Sequence, residues 1–306
     1  MKKIIAFSES NSSIGLGHLA RTCQVLSCLN RENFEINFFC DYKETPSWIS
    51  KIEHKKIDVN DFFKIDMSNY DLLIFDTYQN RERLKDIEIK KLMIDDFNFY
   101  ENDDLADIIL DWNLGSGKKY YSVKNLISGT KFFPIGENTF PEFINGTSWN
   151  KESKNILISI GGVSNINLLN IEEYIEIALR FGNVVLMDPL SKLSKLEKNG
   201  VKLIQNKSLS EILNKEEFLF AIISGGTSKY ILSAYGIPSL FISRNELEGK
   251  TIEPFLESQM SLNEDVLKDN YEKNNFISQL EIISSKIKEL VDIDNAERIN
   301  QAFYKL

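Results

Sequence analysis

The feature that most constrains the fold is a repeated alternation of short apolar runs and amphipathic segments. Each apolar run ends in polar or turn-forming residues, a pattern typical of parallel strands that are buried on both faces. In the first half these runs lie at residues 3–7, 36–40, 71–75, 91–94 and 107–110. Between the first two runs, Leu19, Cys23, Leu26 and Leu29 recur at the spacing of one helix face. The pattern predicts helices packed on a parallel sheet.

The same alternation starts again in the second half of the chain. Its apolar runs lie at residues 155–160, 183–187, 201–204, 218–223 and 239–243. A polar, turn-rich segment at 141–154 separates the two series, so we predict two Rossmann-like α/β domains, 1–150 and 151–306, the second ending in amphipathic helices. Two such doubly wound domains that face each other bind ligands in the cleft at the carboxyl ends of their strands.

Charge and composition exclude several classes of partner. The net charge of −9 and the pI near 5.0 give no electrostatic footprint for nucleic acid. No window approaches the apolar length of a membrane span, and the apolar run at 4–7 is too short for a signal peptide. The three cysteines have no Cys-x-x-Cys spacing, which is typical of reduced thiols. We therefore expect a cytoplasmic protein, with the oligomeric state left open.

A glycine-rich turn follows the first predicted strand. Gly15, Gly17 and Ala20 form G-x-G-x-x-A, and Asp41 follows the second strand at a spacing that fits a dinucleotide-binding fingerprint. The loop before Gly15 is longer than that fingerprint allows. A simpler interpretation is that the glycines let the backbone approach a ligand and that the following helix offers its first N–H groups to an anion.

His18, one of two histidines in the chain, lies directly behind this turn. An imidazole can accept a proton near neutral pH, and the positive end of a helix favours its neutral form. The residues alone leave two interpretations open, a general base in the cleft or a histidine that only packs against the turn.

Polar side chains also follow the next strands. Asp76 and Tyr78 come directly after the run at 71–75, where they could contact a ligand, although Asp76 could instead cap a helix. Asp95 and Asp96 follow one strand, and Asp111 and Asn113 follow the next. Paired acids can hold a metal ion, but without histidines or a D-x-D triplet we expect loop capping and no metal.

Two Gly-Gly turns follow strands of the second half. The residues concerned are Gly161 and Gly162 in the first turn, and Ser224, Gly225, Gly226, Thr227 and Ser228 in the second. Backbone N–H groups and small hydroxyls at such turns hold phosphates, so the pair predicts a nucleotide diphosphate site. A Walker A motif is missing from the sequence, which gives no support to ATP hydrolysis by a P-loop.

In this order the motifs resemble the GT-B fold nucleotide-sugar enzymes, and most closely the UDP-2,4-diacetamido-2,4,6-trideoxy-β-L-altropyranose hydrolases of pseudaminic acid biosynthesis. The segments run collinearly from about residue 3 to 260. They are GLGHLARTCQVLSCL, FDTY, IDDF, DLADIILDWN, LISGTKFFPIGENTFPEF, ILISIGG and ISGGTSKYILSAYGIPSLFI, with Asn245 just beyond.

The resemblance implies a role for each matching residue. His18 is expected to be the general base for water attack, with Tyr78 and Asn245 lining the sugar site and Arg21 matching the family's arginine. Gly15, Gly17, Asp76 and Asn113 are expected near the substrate. The sugar is expected on the N-terminal half and the nucleotide on the C-terminal half, with no cofactor and no metal.

One departure from the family pattern leaves the nucleotide open. Where the family carries a glutamate near the ribose, this chain has Ile231, whose side chain cannot accept a hydrogen bond. Beside a hydrolase of a UDP-linked amino sugar, two alternatives therefore remain. They are a GT-B glycosyltransferase that uses a UDP- or CMP-linked donor and a non-catalytic protein that binds a nucleotide sugar.

Overall fold

The computed structural model describes residues 1–10, 16–43, 53–135, 149–160, 171–188, 193–205, 207–268, 273–292 and 294–306. Contacts between residues divide the chain into two compact units. The first comprises Met1–Thr139 and Asp294–Leu306, and the second comprises Phe140–Ile293. Each unit contains its own parallel sheet.

The sheet of the first unit has seven strands. In chain order they are β1 (Lys2–Ser10), β2 (Phe34–Tyr42), β3 (Lys55–Lys56), β4 (Leu72–Asp76), β5 (Lys90–Ile94), β6 (Ile108–Asp111) and β7 (Asn125–Ser128). They lie side by side in the order β3-β2-β1-β4-β5-β6-β7, and every neighbouring pair is parallel. The five predicted runs form five of these strands. The edge strands β3 and β7 were not predicted, because β3 consists of two lysines and β7 has only Leu126 and Ile127 between polar residues.

Helices cover both faces of this sheet. The first is α1 (Gly17–Ser27), whose Leu19 and Val25 are fully buried. On the opposite face, Phe7 and Phe75 pack with Phe62 of the short helix α2 (Val59–Phe62). Since successive side chains of a strand point to opposite faces, β1 and β4 each contribute alternate residues to both layers.

The second unit repeats the arrangement with five strands. They are β8 (Asn155–Ser159), β9 (Asn183–Asp188), β10 (Val201–Gln205), β11 (Phe220–Ser224) and β12 (Ser239–Ile242), in the parallel order β10-β9-β8-β11-β12. Its helices are α3 (Ile171–Leu179), α4 (Leu209–Leu213), α5 (Ser228–Ala234), α6 (Glu246–Glu257), α7 (Glu264–Lys268) and α8 (Lys273–Ile287). The predicted pair of Rossmann-like domains is confirmed.

Both sheets reverse their strand order at one place. In the first sheet this switch point lies between β1 and β4, and in the second it lies between β8 and β11. In doubly wound folds, ligands bind outside the carboxyl ends of the strands at such a point. The sequence motifs around His18, Asp76 and Gly225 follow these strands.

The C-terminal helix α9 (Asn295–Lys305) belongs to the first unit, whereas the sequence pattern was interpreted as ending the second domain. The buried Asn295 amide donates hydrogen bonds to the carbonyl oxygens of Thr130 (3.0 Å) and Phe133 (3.2 Å). Lys2 Nζ donates to the carbonyl of Tyr304. Periodicity identifies the buried face of a helix but does not identify the sheet on which it packs.

Two further properties concern the environment of the chain. Among the residues that the structure describes, none forms a helix long and apolar enough to cross a bilayer. Cys23, Cys28 and Cys40 are free thiols, and burial raises the pKa of both Cys28 and Cys40 to about 12. These thiols are therefore protonated near neutral pH.

Replacing Asn295 by alanine should destabilise the first unit. The carbonyl groups of Thr130 and Phe133 lose their side-chain donor and keep only the backbone N–H donors of Phe133 and Ile135. Each lost hydrogen bond costs about 0.5–1.5 kcal/mol. The free energy of unfolding from urea denaturation measures the loss. The exposed Gln301→Ala on the same helix is the matched control. Equal unfolding midpoints for the two variants would contradict this account of how α9 is held.

Candidate active site

A histidine–aspartate pair lies at the switch point of the first sheet. His18 is the second residue of α1 and Asp76 is the last residue of β4. His18 Nδ1 lies 2.6 Å from Asp76 Oδ1, with the histidine 5% exposed and the aspartate fully buried. The pair forms because α1 packs on the face of the sheet to which Asp76 points. The structure thus brings together two residues that the sequence predicted separately.

The same face of α1 holds the Asp76 carboxylate with two more side chains. Arg21 donates through Nε to Asp76 Oδ2 (2.8 Å) and through Nη2 to Oδ1 (2.6 Å). The Thr22 hydroxyl donates to Oδ2 at 2.9 Å. Positions three and four residues apart lie on one side of a helix, which explains why His18, Arg21 and Thr22 meet a single acceptor.

Burial and charge set the protonation states of this pair. Burial alone would raise the pKa of Asp76, but Arg21 and His18 outweigh it and hold that pKa below its ordinary value. Burial lowers the pKa of His18, and Arg21 adds to this effect, so the opposing influence of Asp76 does not restore it. At neutral pH the site therefore holds an ionised carboxylate and a neutral imidazole.

The hydrogen-bond network assigns the histidine tautomer. Asp76 as a carboxylate can only accept, and the Arg21 guanidinium, whose Nη2 lies 3.0 Å from His18 Nδ1, can only donate. The short contact to Asp76 therefore requires the proton on Nδ1. The other ring nitrogen, Nε2, then carries the lone pair, which is the form that a general base needs.

Asp96 is the second acceptor at this edge of the sheet. It accepts from Arg21 Nη1 (2.6 Å), from Asn113 Nδ2 (2.7 Å) and from the hydroxyl of Tyr78. Burial would raise its pKa, but Arg21 and the hydrogen bonds from Tyr78 and Asn113 hold it well below the ordinary value. One guanidinium thus bridges two buried carboxylates, Asp76 at the end of β4 and Asp96 after β5.

Tyr78 contacts the histidine through its ring rather than through its hydroxyl. The two rings meet edge to face, with centroids 4.4 Å apart and planes at 82°. Burial and the neighbouring Asp96 raise the pKa of Tyr78 well above its ordinary value, so the hydroxyl keeps its proton and donates to Asp96. On its outer side the Tyr78 ring packs on Tyr100, which is 47% exposed.

The neighbouring acids hold the loops around this site. Asp95 pairs with the buried Arg81 at 2.7 Å and accepts from the backbone N–H of Asn98. Asp111 accepts from the N–H of Phe97, and burial together with Asp96 raises its pKa to about 6. Both therefore cap loop N–H groups, as expected, and both also accept hydrogen bonds from the side chain of Tyr121. Within the described ranges, no group of three His, Cys, Asp or Glu side chains is arranged to hold a metal.

Of the glycines that were predicted to contact the substrate or its nucleotide in the first turn of each half, Gly17 lies within the described residues. Gly17 is the first residue of α1, and a Cβ added there would meet no atom within 4 Å. There is space for a ligand to approach its backbone. Gly15, Gly161 and Gly162 lie outside the described residues.

In the second unit, the predicted turn lies at the carboxyl end of β11. Ser224 ends this strand, and Thr227 and Ser228 begin α5. The N–H of Gly225 donates to the carbonyl of Ile242, and a Cβ at Gly225 would lie 2.7 Å from Ile252. Gly226 instead faces open space, with no atom within 4 Å of an added Cβ. Of the two glycines, Gly226 is the one that a ligand can approach.

Three residues near this turn are Lys229, Ile231 and Asn245. Lys229, which sequence reasoning did not select, is 3% exposed and donates from Nζ to the Gly225 carbonyl at 2.7 Å. Ile231 is buried in α5. Asn245 is exposed and caps α6, accepting from the N–H of Glu248 at 2.9 Å. Its predicted role in the sugar site remains a prediction.

Sequence reasoning missed Thr22 and underestimated Asp96. A usable signal existed for Asp96, because it follows the apolar run at 91–94 closely, as Asp76 follows the run at 71–75. A buried arginine also requires carboxylate partners. No such signal existed for Thr22, since a threonine inside a helical pattern does not by itself indicate a binding partner.

Comparison with known proteins identifies the fold. No known protein-family model matches the chain. It is 26% identical over 340 residues to an uncharacterized protein of Methanocaldococcus jannaschii, MJ1062, covering 98% of this chain and 68% of that protein.

Among solved structures, a S. aureus MnaA–UDP complex has a TM-score of 0.62 and 14% identity, covering 98% of this chain and 95% of the other. A putative UDP-N-acetylglucosamine 2-epimerase from Listeria monocytogenes has a TM-score of 0.63 and 12% identity, covering 97% of this chain and 94% of the other. The spinosyn rhamnosyltransferase SpnG has a TM-score of 0.66 and 10% identity, covering 99% of this chain and 100% of the other. The fold is thus the GT-B type found in epimerases and glycosyltransferases of nucleotide sugars.

Proposed function

We propose that the protein hydrolyses a nucleotide-linked amino sugar, releasing the free sugar and a nucleoside diphosphate. The substrate that fits the sequence resemblance is UDP-2,4-diacetamido-2,4,6-trideoxy-β-L-altropyranose. The observation that carries the proposal is the His18–Asp76 pair, which presents a neutral imidazole with a free Nε2 lone pair at the switch point of the first sheet. The Gly226 turn at the switch point of the second sheet supports nucleotide binding.

The first chemical role belongs to His18. Its Nε2 takes a proton from water while the water oxygen forms a bond to the anomeric carbon and the bond from that carbon to the phosphate oxygen breaks. The imidazolium formed in this step is stabilised by Asp76, which stays ionised because Arg21 and Thr22 hold it. Asp76, Arg21 and Thr22 act through the histidine as positioning residues.

Three further side chains are assigned to the sugar. The ring of Tyr78 lies against His18 and offers an aromatic surface. Asn113 is linked to Tyr78 because both side chains donate hydrogen bonds to Asp96. Pockets of this kind combine apolar walls with a few polar groups that fix orientation. Asn245 is assigned to the sugar on the sequence resemblance.

The diphosphate is assigned to the turn at Gly226. The first N–H groups of a helix have no helical acceptor, so those near Thr227 and Ser228 are free to meet an anion. These donors stabilise the negative charge that develops on the departing diphosphate. The nucleotide itself is supported by similarity to the S. aureus MnaA–UDP complex.

A glycosyltransferase is the second candidate, because the fold is shared with SpnG and a histidine base can equally deprotonate a hydroxyl acceptor. The two are separated by incubating the purified protein with the UDP-linked substrate in ¹⁸O-labelled water, without acceptor. A hydrolase that cleaves the sugar C–O bond places the label on the sugar. Label on the nucleotide would indicate cleavage at phosphorus, and product that forms only with an added acceptor would indicate a transferase. Tight binding without any turnover would identify a non-catalytic binding protein.

Replacing His18 by asparagine should lower kcat by roughly 10²–10⁴, because the amide cannot take a proton near neutral pH. KM should change little, since Asn keeps a polar side chain of similar reach. His54→Asn is the matched control, as His54 is the other histidine and contacts the Tyr42 hydroxyl away from this pair. A folded His18→Asn enzyme with near-normal turnover would reduce His18 to a structural residue.

The pH profile tests the same base independently. An imidazole is a base only when neutral, so kcat/KM should be constant at neutral pH and fall as the pH drops through the His18 pKa. Burial lowers that pKa, so the fall should begin below the ordinary value of 6.5. His18→Asn should lose this acidic limb. A limb that persists in the variant would assign the titration to another group.

Replacing Gly226 by valine should weaken nucleotide binding at least about tenfold, or about 1.4 kcal/mol. The protein itself has room for the new side chain, so the loss reports on the ligand. Gly117→Val is the control, because a Cβ there also meets no atom within 4 Å but lies in the first unit. Titration calorimetry with UDP measures both. Equal affinity in the two variants would place the diphosphate elsewhere.

A further inference from the structure

A second buried carboxylate lies at the switch point and takes no part in the chemistry described so far. Glu9 is the penultimate residue of β1 and is 5% exposed. It continues the sheet face of Phe7, opposite to the face of Asp76, and it is aligned with Asp41 of β2. Thr77, the residue directly after β4, donates its hydroxyl to Glu9 Oε1.

The neighbouring buried carboxylates are supplied with more donors. Asp76 accepts from His18, Arg21 and Thr22. Asp96 accepts from three side chains, including a guanidinium. Glu9, by contrast, has one neutral hydroxyl as its hydrogen-bond donor among the residues that the structure describes.

The electrostatic surroundings of Glu9 are unfavourable to its charge. Burial raises its pKa, the Thr77 hydrogen bond opposes this only in part, and the carboxylates of Asp41 on β2 and Asp76 on β4 raise it further. A buried carboxylate costs free energy unless donors satisfy its lone pairs. Under-satisfied buried groups and groups with shifted pKa values concentrate at functional sites, and a ligand that supplies the missing donor accounts for such a group.

We propose that Glu9 is a substrate-binding residue whose free carboxylate oxygen accepts a hydrogen bond from an N–H or O–H group of the sugar. This inference rests on the proposed function and deepens it. A carboxylate repels a diphosphate, so the donor belongs to the sugar and not to the nucleotide. An acetamido N–H and a ring hydroxyl are both neutral donors of the required kind. Thr77 fixes the carboxylate from the side and is followed directly by Tyr78.

The first test needs no ligand and separates binding from structure. Glu9→Gln keeps the shape and the acceptor for Thr77 but removes the buried charge. Its melting temperature at pH 7.5 should therefore equal or exceed that of the wild type. If Glu9 were retained for structure, Glu9→Gln would lower the melting temperature. That result would overturn the proposal.

The pH dependence of this difference has a defined sign. With its pKa raised on folding, Glu9 binds a proton more tightly in the folded chain than in the unfolded chain. The wild type therefore loses stability as the pH rises above about 4.5, the ordinary value, and through the folded-state pKa. Glu9→Gln lacks this loss, so its advantage in melting temperature should grow over that interval. An advantage that is independent of pH would overturn the proposal.

The second test measures recognition of the sugar. With UDP-2,4-diacetamido-2,4,6-trideoxy-β-L-altropyranose, Glu9→Gln should raise KM at least about tenfold while kcat changes less than about threefold. The affinity for UDP alone, measured by calorimetry, should stay the same. The exposed Glu35→Gln on β2 is the matched control and should leave every value unchanged.

The outcomes distinguish this inference from the function on which it rests. Failure of the wild type to turn over the substrate would overturn the proposed function and the inference together. Wild-type turnover combined with an unchanged KM in Glu9→Gln would overturn the inference alone. An equal loss of affinity for UDP would also overturn it, because the carboxylate would then act on the nucleotide or on the fold.

Discussion

The structure of the candidate site depends on one buried guanidinium. Arg21 lies inside the first unit between two carboxylates, Asp76 at the end of β4 and Asp96 after the adjacent β5. Burying the guanidinium together with these two carboxylates costs less free energy than burying either kind of charge alone, so each stabilises the other. This mutual stabilisation fixes α1 against the carboxyl edge of the sheet. It also fixes His18, one helical turn before Arg21, against Asp76.

The arrangement holds a neutral and oriented imidazole, which is what the proposed general base requires. Burial removes the charge from the imidazole, while the ionised Asp76 selects the tautomer and remains available to stabilise an imidazolium. Burial sets the neutral resting state of the imidazole, and the ionised Asp76 lowers the free-energy cost of its taking up a proton. Tyr78 contributes through its ring, because its hydroxyl is engaged by Asp96.

The two units present different chemistry at equivalent places in their sheets. At the switch point of the first sheet lie carboxylates, a histidine and an arginine that are largely satisfied by one another, with Glu9 as the exception. At that of the second sheet lies a small-residue turn with open space at Gly226. A dense acidic site suits neutral donors of a sugar, and exposed backbone N–H groups suit an anion.

The sequence by itself determined the two Rossmann-like sheets, because buried parallel strands require continuous apolar runs that only a few folds can accommodate. It also determined that His18, Asp76 and Tyr78 follow apolar runs, and hence that they lie at the carboxyl edge of the sheet, where doubly wound folds bind ligands. Only the tertiary structure decided which of these residues meet. Arg21 bridges Asp76 and Asp96 across 55 and 75 residues of chain, and α9 packs on the first unit. Such pairings depend on the order of strands and the docking of helices, and no local pattern encodes either.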